Sequence, residues 1–526
     1  MPTLFTALRA QHRDKPHRAR ITEISPAASE EVRKEPLLRG DLDKLLSTQA
    51  ATFFQLPQTE ALASMGGSRA KELLPNLPKR KVAVIGAGLS GLAAAYELNG
   101  LGYDVCVFEA RSRVGGRVES LTSFANGKTV EGGGELIGSN HALWNSYRAK
   151  FGLEFSDVKE YKSSPYRLKN HTLSYEESSK LMDEMDQELK ALSDLAETLL
   201  DAYEPWSNPD SVTLDKMTLA DWVQKRECSK MCKEGIELMM AADNGIPADE
   251  QSLLGILAMV KGGGLDRYWT DSELYRCHGG NQLLAEAFRN ELDKGKPRVF
   301  CDRPVLSLSR TEKGIALGVK GEPDPINADD VVLAIPPSVW NKIDVSSFPV
   351  LQAKLANPPA LGRNVKALMR LKSRFWEDYG SSPTLSQDGP VDLTWETTEA
   401  EKNKEFVMVA FSGAGDADSC VDWPDADRKR KYIEALSAVY PRLDQAMDAF
   451  EFKDWPQTDW SLASYYFPRP GEVLEWGPFW KTGFEDWLHF AGEHTCYAFV
   501  GYMEGALVSG YRLARRLAIR DGVLPG

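Results

Sequence analysis

Long apolar runs are missing from this chain. None reaches the roughly 18 residues that a membrane-spanning helix requires, and Met1 to Arg20 is too basic and polar to hold a signal-peptide core. The expectation is a cytoplasmic protein with no membrane partner. Cysteine is also scarce: Cys106, Cys228, Cys232, Cys277, Cys301, Cys420 and Cys496 are odd in number, scattered, and without CxxC spacing, which supports neither a disulfide framework nor a metal site. Cys228 and Cys232 could share a helix face, but two thiols alone make no site. Positive charge is in deficit, with a net charge of -13 and a pI near 5.3, and this argues against nucleic acid or an anionic surface as a partner. What remains is ordinary for a globular protein: 526 residues, 42% hydrophobic and 26% charged, are enough for two or three domains and a large core.

The densest signal lies between Lys81 and Glu109. Val82 to Ile85 is a short β-branched run, as expected of a buried parallel strand, and it enters Gly86-Ala87-Gly88-Leu89-Ser90-Gly91. Gly86 permits the tight turn, Gly88 lets a pyrophosphate approach the backbone, and Gly91 lets the next helix pack closely. Leu92 to Leu101 reads as that helix, with its positive end toward the phosphates, and Gly102 closes it. A second strand, Val105 to Phe108, ends on Glu109, eighteen residues after Gly91, where a carboxylate would accept from ribose hydroxyls. Strand, loop, helix, strand and acid in this order predict a dinucleotide-binding unit. The following Ala110-Arg111-Ser112-Arg113-Val114-Gly115-Gly116-Arg117 resembles the ExxxxxGGR extension of FAD enzymes, with Arg117 as a bidentate cation for the pyrophosphate.

The rest of the chain divides by texture. Residues 1–77 are an N-terminal extension, basic at first and weakly helical around Asp41 to Leu56. Residues 78–160, 270–340 and 456–526 are expected to build the FAD-binding domain, and 161–269 with 341–455 a substrate-binding domain. The fold class expected is therefore α/β: a Rossmann-like domain assembled from discontinuous segments beside an α+β domain. Val130 to Ser139 is a second glycine cluster whose backbone at Gly133, Gly134, Glu135 and Leu136 could lie against a flavin ring. Leu181, Met182, Met185, Leu189, Leu192, Leu195 and Leu199 recur at helical spacing, so Glu177 to Ala202 is an amphipathic helix whose stripe is core. Thr218 to Asp221 reads as a capping box. Val299 to Val305 reads as one strand, and Asp329 to Ile335 as a buried one stopped by Pro336-Pro337. Near the end, Leu488 to Glu493 is a strand finishing in Gly492-Glu493, and Gly501 to Ala506 opens a terminal helix. Gly505, Ala506 and Gly510 give that helix a face small enough to meet a bulky ligand, Arg512, Arg515 and Arg516 suit its negative end, and its positive end could favour negative charge on a reduced flavin.

Three motifs far apart, GAGLSGL…FEA…GGRV, AIPP at Ala334 to Pro337, and FAGEHT…GYMEGA, make residues 78 to 517 similar to the flavin-dependent amine oxidase family, which includes monoamine, polyamine and L-amino acid oxidases. The resemblance implies FAD contacts at Gly86, Gly88, Ser90, Gly91, Glu109, Ala110, Arg111, Gly116, Arg117, Val305, Gly492, Glu493, Gly501, Tyr502, Met503 and Ala506. It also implies a lysine holding a water near flavin N5, which falls on Lys366. Tyr502, Gly501 and Trp395 become candidates for the substrate cavity. The family's chemistry, hydride transfer from a C–N bond to flavin N5 with dioxygen as final acceptor and hydrogen peroxide as product, follows from the cofactor.

Two departures bear on the substrate. Leu462 and Ala463 stand where animal monoamine oxidases carry a flavin-linking cysteine and a cage tyrosine, so FAD is expected to be non-covalent. The carboxylate-binding arginine of L-amino acid oxidases would fall near Leu136. Arg363 and Arg469 are possible substitutes, and Glu119 and Glu135 could attract a cationic amine or bond to loop amides. The long extension and the missing cage tyrosine favour oxidation of L-amino acids to 2-oxo acids, with a soluble monoamine or polyamine oxidase as the alternative. A non-catalytic flavoprotein is more remote, and an NAD dehydrogenase more remote still. A homodimer or higher homo-oligomer is expected.

Overall fold

The structure, a computed structural model, describes residues 80–159, 161, 164–398 and 405–524. The N-terminal extension and the helix expected around Asp41 to Leu56 lie outside these residues.

Strand β1 (Lys81–Ile85), helix α1 (Leu89–Gly100) and strand β2 (Asp104–Phe108) form the unit expected from the glycine motif. They nucleate a five-stranded parallel sheet in the order Leu488–Phe490, Asp330–Leu333, β1, β2, Val299–Phe300. Val82, Ala83 and Val84 of the central strand are fully buried, as a continuous apolar run in a sheet covered on both faces requires. The last strand ends sooner than its sequence suggested. Val299–Phe300 stays in the sheet, but Asp302 takes a left-handed φ of 56° and Pro304 has no N–H to continue a ladder. The chain therefore leaves, and Val305–Thr311 starts a separate antiparallel sheet with Gly314–Val319 and Ile326–Ala328.

The terminal helix, Met503–Arg520, packs along α1. Of its small face, Gly510 and Gly505 serve packing, while Ala506 borders a cavity. A Cβ on Gly510 would stand 2.2 Å from the Ser90 carbonyl oxygen, and one on Gly505 would stand 2.1 Å from that of Phe499. The helix runs past Arg516, so the basic residue of its last turn is Arg520.

A seven-stranded sheet forms the second layer, in the order Met447–Asp454, Asn364–Leu371, Phe406–Gly413, Leu393–Glu396, Leu385–Gln387, Tyr166–Leu168, His171–Thr172. Asn364–Leu371 is buried almost throughout and places Lys366 between Phe411 and Lys453 of its neighbours. Helix Tyr175–Glu197 buries Leu181, Met182, Met185, Leu189 and Leu192, and Ser174 with Glu177 closes a reciprocal capping box at its start. Thr218 and Asp221 make the second box. Helix Lys230–Asn244 begins after Cys228, so Cys228 and Cys232 do not share a helix face. It stops at Gly245, whose left-handed φ of 70° is the usual way to end a helix, and this delivers Asp243 and Asn244 to the space between the sheets. Among the described residues no helix is long and apolar enough to cross a membrane.

Candidate active site

One cavity reaches from the β1–α1 turn to the first residues of strand Asn364–Leu371. The residues singled out in the sequence as cofactor, substrate or catalytic candidates line it, with four exceptions, Gly91, Glu119, Arg363 and Arg469.

At the glycine turn the three glycines do different things. Gly86 has a φ of +105°, and a Cβ there would lie 2.6 Å from the Ala334 carbonyl oxygen. Gly91 is a packing residue, since its Cβ would stand 2.1 Å from the Gly86 carbonyl oxygen. A Cβ on Gly88 would meet no protein atom within 4 Å, so its backbone borders open cavity. The positive end of α1 points there, and the Ser90 hydroxyl oxygen is buried with no hydrogen-bond partner among the described residues. This orphaned hydroxyl, the open edge of Gly88 and a helix N-terminus fit a pyrophosphate.

The acids and cations beside the turn are already oriented. Glu109 accepts from the Ala87 N–H at 2.7 Å and the Arg111 N–H at 2.9 Å. Arg111 donates to the Asp459 carbonyl at 2.6 Å and to Ser461 Oγ at 2.8 Å. Arg117 Nη1 reaches the Ser464 carbonyl at 2.6 Å and Glu493 Oε1 at 3.0 Å, while Glu493 also accepts from the N–H groups of Tyr466 and Gly501. The glycine and terminal-helix motifs, nearly four hundred residues apart, are thus joined by one ion pair. His494 beside it is buried with neither ring nitrogen bonded among the described residues, and burial pushes it down to about 3, so it is neutral.

Lys366 is a buried residue of the cavity wall. Its Nζ donates to the carbonyls of Glu131 at 3.1 Å and Gly133 at 3.0 Å and to Glu135 Oε2 at 2.8 Å. Glu135 in turn takes Arg276 Nε at 2.8 Å, Trp395 Nε1 at 3.0 Å and Thr397 Oγ1 at 2.8 Å. Burial alone would raise its carboxyl, but Lys366 and Arg276 hold it down to about 2. Glu131, equally buried and with weaker compensation, is pushed up to about 8. Glu135 is therefore not a receptor for a cationic amine. Glu119 is not one either, being paired with Arg113 and Lys453 at 3.4 Å each.

The far end is aromatic. Tyr502 and Tyr268 bring their hydroxyls to 3.1 Å, Trp395 stands near Lys366 with Nζ 5.5 Å from its ring, and the Tyr465 hydroxyl donates to the Asp243 carbonyl. Leu136 lines the cavity, at the position where the resemblance to L-amino acid oxidases implies a carboxylate-binding arginine. The two arginines proposed in its place are engaged elsewhere: half-exposed Arg363 pairs with Asp418 at 2.6 Å, and Arg469 binds Glu250 at 3.0 Å and the Ala360 carbonyl at 2.9 Å. Arg363 is thus corrected as a substrate-binding candidate. Asp418, on a helix next to it, captures its charge before it can reach the cavity.

Sequence reasoning missed Asp243, Tyr268, Tyr465 and His494, all of which line the cavity. One signal was available. An acid in the last turn of a helix faces the negative end of the dipole, so Asp243 one residue before the Asn244–Gly245 stop was out of place.

Comparison with known proteins agrees with this geometry. The family model of flavin-containing amine oxidoreductases matches residues 89–518. The flavin-containing amine oxidase B of Mus musculus is 28% identical over 474 residues, spanning 85% of this chain and 88% of its own. A probable flavin-containing monoamine oxidase A of Dictyostelium discoideum is 24% identical, spanning 84% of this chain and 98% of its own. Among solved structures, a cofactor-site redesign of putrescine oxidase superposes with a TM-score of 0.75 at 25% identity, over 84% of this chain and 99% of that one. Cyclohexylamine oxidase from Brevibacterium oxydans gives 0.74 at 24% identity, over 85% and 100%. With the glycine turn, the Arg117–Glu493 link and the buried lysine in place around one cavity, the chain belongs to the flavin-containing amine oxidoreductase family, with FAD as its cofactor.

Proposed function

We propose that the protein oxidises primary amines to aldehydes: amine, dioxygen and water yield aldehyde, ammonia and hydrogen peroxide. FAD, when bound, supplies the two-electron acceptor that no side chain provides. The observation that carries the amine reading is the state of the cavity's cations. Arg111 and Arg117 are bonded near the glycine turn and Lys366 is taken by Glu135, so among the described residues every arginine that lines the cavity, and its buried lysine, is already engaged before a substrate carboxylate arrives. The printed activities of the relatives, monoamine, putrescine and cyclohexylamine oxidation, support the same reading, and the expectation of an L-amino acid oxidase gives way to it.

In this reading Gly88, Ser90 and the α1 terminus hold the pyrophosphate, Glu109 the adenosine ribose, and Glu493 the ribityl chain. Gly133 and Gly134 give the ring a backbone wall. Tyr268, Tyr465, Tyr502 and Trp395 exclude water and orient a neutral amine. Lys366, its ammonium fixed by three acceptors, sets a positive charge at one place in the cavity wall. The test is a peroxide assay with L-amino acids and their decarboxylated amines. Turnover of the amines is expected, and turnover of the acids alone would refute it.

Two predictions follow from the cofactor site. No cysteine lines the cavity among the described residues, so FAD is held non-covalently, and acid precipitation should leave the yellow colour in the supernatant rather than the pellet. The glycines should also separate. Gly88→Ala is sterically free and has an ordinary φ of -72°, so apoprotein Tm should not change while FAD affinity falls by about tenfold or more through contact with the phosphates. Gly91→Ala should instead cost the apoprotein about 1–3 kcal/mol by overpacking against a carbonyl. Equal effects of the two on Tm would contradict this division of labour.

A further inference from the structure

Asp243 has no task in the chemistry above. It lines the cavity from the last turn of Lys230–Asn244, its Oδ1 is sealed from bulk water, and among the described residues it accepts no hydrogen bond there and enters no ion pair. A buried acceptor left without a donor is rare and calls for a physical reason. The helix end adds a negative dipole to the cost. Burial raises its carboxyl to about 7, and burial together with the Asp243 charge pushes the phenols of Tyr465 and Tyr502 above their ordinary range. The neighbouring polar groups bond elsewhere. Tyr465 donates to the Asp243 main-chain carbonyl rather than to its carboxylate, and Asn244 Nδ2 donates a hydrogen bond to Gln251 Oε1 at 2.9 Å. The surroundings are thus a carboxyl with an open acceptor and three tyrosines, Tyr268, Tyr465 and Tyr502, near enough to feel its charge, with no cation beside it among the described residues. Such a site suits an ammonium group, which gains a charge-assisted hydrogen bond there.

We propose that Asp243 receives a second ammonium group of the substrate, so that the preferred substrates are primary amines with a further cationic nitrogen, such as α,ω-diamines. One nitrogen is oxidised at the Lys366 end of the cavity while the other is held at Asp243. The proposal rests on the amine oxidase reading of the same cavity.

The experiment compares kcat/KM for 1-butylamine with 1,4-diaminobutane, and 1-pentylamine with 1,5-diaminopentane, using the holoenzyme and its Asp243→Asn and Asp243→Glu variants, each checked for bound flavin. For at least one pair the wild type should favour the diamine by about tenfold or more, and Asp243→Asn should lower that ratio by about tenfold, mainly through KM, as expected for loss of one charge-assisted bond. The monoamine kcat should change little, and Asp243→Glu should retain part of the preference. Equal kcat/KM within both pairs in the wild type overturns the proposal even if Asp243→Asn fails to fold. An unchanged ratio in a flavin-loaded Asp243→Asn overturns it as well. Failure of every amine, monoamines included, to yield peroxide would refute the amine oxidase reading itself, and this proposal with it.

Discussion

Glu135→Gln is expected to cost roughly 3–5 kcal/mol of folding stability, the range for removing one member of a buried ion pair and leaving its partner uncompensated. The expectation is at the upper end because one carboxylate serves two buried cations, Lys366 and Arg276, and also accepts from Trp395 and Thr397. Glu131→Gln, four residues earlier and equally buried, should cost less than about 1 kcal/mol. Glu131 is pushed up to about 8 and so is mostly neutral at pH 7, which glutamine reproduces. Urea titration of both variants checks the contrast. The pH dependence has opposite signs. The Glu135 carboxyl is lowered from 4.5 to about 2, so its contribution is present above pH 4.5 and is lost as the pH falls toward 2. The Glu131 carboxyl is raised from 4.5, so its contribution is present below pH 4.5 and is lost as the pH rises toward 8. Similar losses in the two variants would mean that Glu135 does not carry the charge that fixes Lys366.

An L-amino acid should be a worse substrate than its decarboxylated amine by about a thousandfold or more in kcat/KM, because an unpaired carboxylate brought into a dry cavity costs several kcal/mol and each 1.4 kcal/mol is tenfold. Leu136 offers that carboxylate no hydrogen bond, Arg363 and Arg469 are held by Asp418 and Glu250, and Asp243 adds like-charge repulsion. Leu136→Arg should narrow the gap by supplying a bidentate partner for the carboxylate.

The parts of this site that sequence made legible are those where local geometry dictates residue type. A strand-to-helix turn against a phosphate needs Gly86, Gly88 and Gly91 within six residues, so the turn, α1 and Glu109 could be read directly. Lys366 could be found only by family resemblance, because nothing in Asn364–Leu371 says that Glu135, more than two hundred residues earlier, will meet it. The aromatic end was illegible for the same reason: Asp243, Tyr268 and Tyr465 come from separate elements and share no local pattern. Periodicity also gave a correct fact with the wrong object at Gly505 and Gly510, whose small face meets Phe499 and α1 rather than a ligand. At Val299 to Val305 the residue types were strand-like throughout, but the backbone at Asp302 and Pro304 broke the run.

The most direct measurement is anaerobic mixing of the purified holoenzyme with matched pairs, each an L-amino acid and its decarboxylated amine, while the flavin absorbance near 450 nm is followed. The account predicts that amines bleach the flavin and that the corresponding amino acids leave it oxidised. Bleaching by the amino acids with none by the amines would contradict it.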